Sequence, residues 1–377
     1  QFNTAIIEQP KSMNKSISCK NNMLAAAAAA GITLSLGTPL GGVLFSIEST
    51  ASIYIVSNIW KSFFVSVICI FFSNIIDPSK TILFSNVKST KPISFSAEFI
   101  LFILLGILGG LIGSLISTLI AKIVYIRRKS KFAFLNNRFR YAFIVAIITS
   151  SVTYFISTLR NTDTFLMKFL FSNDPKIPIK EITHPNEGIN LLVICSFKFL
   201  ISILCLTVNM PAGVFGPLFC IGALSGRLYG HVLKYFFTVS DENIYSMIGA
   251  ACVFSGSTHS VSSALIIFEM TGQTSYLAPL LLATLISNLT AQALSMSIFD
   301  VLLLIKNLPH LPSIKSPALY NLSAGDISTK VNFYAEHDNI KVIDCLIIFF
   351  KMPKKYNYSI PIIDKNVKPF LFTSYLV

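Results

Sequence analysis

The chain has 377 residues, 53% of them hydrophobic and only 12% charged, with a formal net charge of +13 at pH 7. A soluble domain carries roughly a quarter charged residues, so the composition excludes an ordinary soluble protein and predicts a membrane protein. The positive balance then reads as cytosolic loops rich in Lys and Arg, attractive to anions, and not as a nucleic-acid surface.

In chain order, residues 1–22 are polar and mixed and predict a loop. The chain opens at Gln1 with no signal peptide and stops at Val377 without an evident end, so it reads as a stretch of a longer protein. Residues 23–31 predict an alanine-rich helix. There follows Gly37-Thr38-Pro39-Leu40-Gly41-Gly42-Val43-Leu44-Phe45-Ser46-Ile47-Glu48. Pro39 suits the first turn of a helix, where its missing N–H is no loss. The paired glycines leave room for another backbone to come close. Such a piece is too short to cross a bilayer and predicts a broken helix inside a polytopic membrane protein.

Residues 58–75 predict a span led by Trp60 and Lys61, an interfacial anchor pair. Residues 77–92 are polar and turn-rich. Residues 99–121 hold no charge and are long enough for the hydrocarbon core, about 30 Å thick. Gly109 and Gly113 within them predict close helix packing. Arg127, Arg128, Lys129, Lys131, Arg138 and Arg140 then crowd one short connection without an acid, which the positive-inside rule makes cytosolic. Residues 141–159 predict the return span, 160–188 a polar extracellular connection, and 189–208 a further span with Lys198 in its middle. Beyond Pro211 the apolar pieces are short: about 214–237, 245–254, 261–270 and 276–302. Interrupted pieces of this kind are expected where discontinuous helices point their ends at a buried ion. From about Lys315 the chain is less apolar. Strand-like runs at 330–334, 359–363 and 369–376 flank a helix-like run at 339–351, a small α/β piece too short for a full core.

Three segments carry chemistry. The first is the piece ending in Glu48. The second is Met210-Pro211-Ala212-Gly213-Val214-Phe215-Gly216-Pro217, where a glycine and a first-turn proline expose helix N–H groups. Such an end carries about half a positive charge and binds anions without a cationic side chain, which lets chloride leave again; a kinked helix with no ligand is the alternative. The third is the hydroxyl-rich break Ser255-Gly256-Ser257-Thr258-His259-Ser260, followed by Phe268-Glu269-Met270-Thr271-Gly272. His259 reads as a hydrogen-bonded core or interface residue rather than a ligand, with no second His or carboxylate beside it. Glu48 and Glu269 each close an apolar piece and read as structural carboxylates that cap helices, with a functional role as the alternative. Lys198 either snorkels to an interface or lines a water-filled path, where it raises the local chloride concentration. The seven cysteines lie mostly in apolar runs without CxxC spacing or His partners and read as free thiols, so neither a metal nor a redox site is expected. No Walker loop, GxSxG, HExxH or GxGxxG occurs, and no enzyme activity is expected.

Taken in order, the three segments resemble the CLC family of chloride channels and chloride/proton exchangers. Its patterns are G-[ST/A]-P-[LI]-G-G-V-L-F-S-[IL]-E, G-x-F-x-P and a T-H-T-V-S-type stretch before F-E-L-T-G. The resemblance implies an all-α polytopic membrane protein, an inverted-repeat bundle with discontinuous helices over residues 23–312, incomplete at its N-terminus. Residues 1–22 are then a polar loop or the remnant of a preceding helix linker. Residues 313–377 are a cytosolic linker and a partial α/β CBS domain, including Ser359-Ile360-Pro361-Ile362-Ile363-Asp364, with no second repeat and so no stable nucleotide site. The resemblance further implies a homodimer in the bilayer with one chloride pathway per subunit and no cofactor. The resemblance implies that the anion is held by the backbone N–H groups of Val214 and Phe215; Gly213, Phe299 and Lys198 are candidates to line the pore. The family's G-S-G-I-P and G-K-E-G-P motifs do not occur in this chain and belong upstream of Gln1. Phe299 stands where the family has an ion-contacting tyrosine, keeping the ring and losing the hydroxyl. These departures make a non-conducting truncated subunit one alternative. Exchangers of the family carry a proton-accepting glutamate directly after the one matching Glu48; here it is Ser49, which cannot hold and release a proton near neutral pH. The expectation is a gated, passive chloride channel subunit of the plasma membrane, with a chloride/proton exchanger as the other alternative.

Overall fold

In a computed structural model of the chain, the described residues are 17–50, 56–76, 98–129, 138–172, 187–208, 213–236, 241–273, 276–306, 335–336 and 362–363. The helices are α1 (Ile17–Leu36), α2 (Pro39–Thr50), α3 (Val56–Ile76), α4 (Glu98–Lys129), α5 (Arg138–Phe155), α6 (Asp163–Phe171), α7 (Glu187–Leu206), α8 (Phe215–Leu233), α9 (Glu242–Thr258), α10 (Ser263–Thr271), α11 (Leu277–Leu294) and α12 (Ile298–Lys306). A 3₁₀ turn, Ser157–Arg160, joins α5 to α6.

Helix α9 is the axis of the bundle. From Asn243 to Thr258 every residue is buried, and α4, α8, α10 and α11 pack around it. Small residues permit this. A Cβ on Gly249 would lie 2.6 Å from the Gly222 carbonyl oxygen, and one on Gly222 would lie 2.6 Å from the Gly249 carbonyl oxygen, so α8 and α9 touch backbone to backbone. On the other side Gly109 and Gly113 of α4 meet Cys252 and Gly256 of α9. Where lipid is as apolar as leucine, helices associate by close van der Waals contact, and small residues are what allow it.

Four stretches, Ile59–Ile76, Glu98–Arg127, Glu187–Leu206 and Leu277–Leu304, are long and apolar enough to cross a membrane. Trp60, Phe64, Phe71 and Phe72 of α3 face outward, as a lipid-facing surface requires. The molecule is a multi-pass membrane protein built largely of helices.

Several boundaries differ from the sequence reading. The region 1–22 predicted as a loop contains the first turns of α1, which starts at Ile17; Lys20, Asn21 and Asn22 are polar but do not break a helix. Helix α4 runs on through the basic cluster to Lys129. There Arg127 donates to the Thr207 carbonyl (2.8 Å) and lies 4.8 Å from the centre of the Tyr141 ring. The connection predicted at 160–188 contains α6, whose Leu166, Met167, Leu170 and Phe171 are buried. The stretch 276–302 is two helices, broken at Ser295–Ser297. Ser297 caps the second, accepting from the Asp300 N–H at 3.1 Å while its hydroxyl donates to the Asp300 carboxylate at 2.8 Å.

The chain divides into residues 1–308 and 309–377. In the second unit β1 (Ala335–Glu336) pairs in parallel with β2 (Ile362–Ile363), Ala335 opposite Ile362 and Glu336 opposite Ile363. The helix-like run at 339–351 and the strand-like runs at 330–334 and 369–376 lie outside the described residues.

Candidate anion site

The short helices α2 and α10 lie against each other, and each holds the other's N-terminus. Pro39 opens α2 without an N–H. The next two N–H groups, of Leu40 and Gly41, donate to the Glu269 carboxylate at 3.1 and 2.8 Å. At the other end, the N–H groups of Val261 and Ser262 donate to Glu48 at 2.8 and 3.0 Å, and the Ser262 hydroxyl adds a third bond at 2.7 Å. Both carboxylates therefore neutralise the positive ends of helices, where negative charge is most favourable. Gly41 allows the approach, since a Cβ there would come within 2.7 Å of the Ile266 side chain and 2.9 Å of its Cα. The break between α9 and α10 is turned by His259 in the left-handed conformation (φ 59°), its N–H bonded to the Ser255 carbonyl at 2.8 Å.

The N-terminus of α8 is different. Val214 precedes the first helical residue, Phe215, and Pro217 supplies no N–H in the first turn. Among the described residues no side chain accepts from the N–H groups of Val214, Phe215 or Gly216. Gly213 is exposed, and a Cβ on it would meet nothing within 4 Å. Among the described residues, the backbone donors at the positive end of this helix thus have no side-chain acceptor.

Phenylalanines from several helices surround this end. The Phe45 ring of α2 is 4.8 Å from Phe215, 5.3 Å from Phe254 and 6.1 Å from Phe299, centre to centre. Phe254 stacks on Phe219 at 4.4 Å and on Phe215 at 4.9 Å. Two residues singled out from the sequence, Phe215 and Phe299, meet through Phe45, which is 2% exposed. Phe45 stood within the first motif, but nothing in its spacing gave it this role. Phe219 and Phe254 read as ordinary core.

Lys198 neither snorkels outward nor stands alone. Its ammonium makes an ion pair with Asp163, the first residue of α6, and both side chains are largely buried. Asp163 was missed because it lies in a stretch that reads as polar; its signal was Thr162-Asp163 ahead of an apolar run, a helix start. Ser49 follows Glu48 on α2 and donates its hydroxyl to the Phe45 carbonyl at 2.7 Å. The described cysteines 69, 195, 205, 220 and 252 are free, and no group of three or more metal-binding side chains occurs among the described residues.

Broken helices that meet within the bundle, one with an N-terminus that no described side chain caps, are the arrangement expected of polytopic membrane proteins with discontinuous helices. Residues 2–292 match the family described as voltage gated chloride channel, and the chain belongs to that family, the CLC channels and transporters. It is 32% identical over 359 residues to chloride channel protein 2 of Drosophila melanogaster, covering 84% of this chain and 30% of that protein. It is 32% identical over 388 residues to chloride channel protein F of Dictyostelium discoideum, covering 97% of this chain and 47% of that one. The fold is similar to a crystal structure of a eukaryotic CLC transporter, with a TM-score of 0.71 and 27% identity over 97% of this chain and 61% of the other. The chain thus spans from under a third to about half the length of these two curated relatives.

Proposed function

We propose that the chain forms part of a passive, gated chloride channel, in which the N–H groups of Val214 and Phe215 hold the permeating anion. The observation that carries this reading is the N-terminus of α8, free of any described side-chain cap and facing Phe45, Phe215 and Phe299. Backbone dipoles in a desolvated setting attract chloride without fixing it by a formal charge. Gly213 leaves space in front of these donors, and Phe299, a ring without a hydroxyl, reaches them through Phe45. Glu48 and Glu269 are structural. Their reciprocal bonds support the inverted-repeat reading of the bundle.

Ser49 supports a channel over an exchanger, because a hydroxyl at that position cannot relay a proton. The likeness to a solved CLC transporter supports the opposite reading. Chloride efflux from proteoliposomes with a stepped external pH separates the two. Release that moves no protons and whose reversal potential ignores the pH gradient is the expected result. Release coupled to proton uptake identifies an exchanger, and no release identifies a non-conducting subunit.

The same family supports a wider assignment as part of this proposal. The subunit is a homodimer of the plasma membrane, opened by voltage, with residues 313–377 carrying a partial CBS domain that binds no nucleotide. An apolar groove beside the contact of α2 with α10, lined by Leu44, Ile47, Leu265 and Leu281, supports a second copy as its cover. Particle mass in lipid nanodiscs is expected at twice that of the chain.

A further inference from the structure

The ion pair between Asp163 and Lys198 stands at the first turn of α8. Asp163 opens α6 behind Thr162, whose hydroxyl oxygen accepts from the Phe165 N–H at 3.4 Å. The carboxylate does not turn back to its own helix end; it bonds the Lys198 ammonium carried by α7. It also lies against α8, because a Cβ on Gly216 would be 3.1 Å from Oδ2 and 3.5 Å from the Asp163 Cβ. Gly216 is what admits it. With side-chain exposures of 14% for Lys198 and 26% for Asp163, neither charge is well solvated, and each needs the other.

A bare ammonium beside an open helix N-terminus would add a full charge to the half charge of the helix. A bare carboxylate there would compete with any anion for the same N–H groups. The pair cancels both effects at a distance, while Asp163 stays against the first turn of α8.

We propose that Asp163 is the resident counter-ion of Lys198 and sets how tightly the α8 end holds its anion. Paired, the two charges cancel and leave the hold on the anion to the helix end. Deprived of Asp163, it recruits the anion as its own counter-ion. Asp163 is accordingly a positioning residue that acts through Lys198. The inference rests on the reading of this helix end as the anion site.

The test is bromide binding to the chain in lipid nanodiscs, by isothermal titration, in the wild type, Asp163→Asn, Lys198→Met and the double variant. The expected result has opposite signs for the two single variants. Asp163→Asn binds bromide about tenfold more tightly and Lys198→Met about tenfold more weakly, as one unit charge near a partly desolvated site implies. The double variant, neutral at both positions, returns to within about twofold of the wild type. A merely structural pair would weaken binding in both single variants, and that result overturns the proposal. Should Asp163→Asn fail to fold, the comparison of Lys198→Met with the double variant still decides: recovery in the double supports the proposal, and no recovery overturns it. Wild-type binding that neither single variant changes removes this inference and leaves the anion site standing. No bromide binding by the wild type removes both.

Discussion

Two kinds of helix N-terminus occur within this bundle. Those of α2 and α10 are closed by glutamates from each other's far ends, Glu269 on Leu40 and Gly41 and Glu48 on Val261 and Ser262. That of α8 has no such partner among the described residues, and the carboxylate against its first turn, Asp163, is held by Lys198. The three ends share the same dipole and the same orphan donors. What distinguishes them is whether a tethered acid occupies them. A permanent carboxylate turns the end into a structural joint; without one, the end can take up and release a mobile anion. Joint and site meet at Phe45, on α2, which touches Phe215 at the start of α8.

The largest expected effect comes from prising the joint apart. Gly41→Val places a branched side chain into the Ile266 backbone and separates α2 from α10, breaking both sets of carboxylate bonds. A loss of about 3–5 kcal/mol is expected, read as a much lower thermal midpoint in detergent with halide binding lost as Phe45 shifts. Removing one carboxylate costs less. Glu269→Ala strands the Leu40 and Gly41 donors and is expected to cost about 2–3 kcal/mol. Glu48→Ala acts at a more exposed position and is expected to cost about 1–2 kcal/mol. The order of the two midpoints checks this.

Closing the open end sharpens the comparison further. Val214→Asp puts an acid at the cap position of α8. Stability is expected to rise by about 1 kcal/mol, while chloride binding falls by about tenfold or more as the acid takes the donors. Stability and binding moving in opposite directions distinguishes an anion site from an imperfect cap. The smallest effect is expected from Phe299→Tyr. It adds a hydroxyl to the ring that packs on Phe45 and should tighten halide binding by about three- to fivefold, the worth of a modest hydrogen bond.

Much of the bundle was legible in the sequence because apolar runs of sufficient length have little alternative to a helix in lipid. The spans containing Phe64, Ile112 and Ile194 follow directly from such runs, and so do the short pieces around Phe254 and Ile266. Helix α6 was hidden because Arg160, Asp163 and Lys168 make its stretch look solvated, while Leu166, Met167, Leu170 and Phe171 form a buried face. The division of α11 from α12 was hidden because Ser295 and Ser297 barely interrupt a long apolar pattern. In the candidate site, a single-residue signal such as Pro217 or Gly213 marked the open end of α8. The joint between α2 and α10 and the aromatic cluster depend on partners more than two hundred residues apart in several cases, and sequence spacing carries no trace of those pairings.

The most direct test of the account is the location of a bound halide. In crystals of the chain grown with bromide, the account predicts an anomalous peak within about 3.5 Å of the N–H groups of Val214 and Phe215, lost in Val214→Asp. Bromide bound elsewhere, or at this end equally in Val214→Asp, would contradict it.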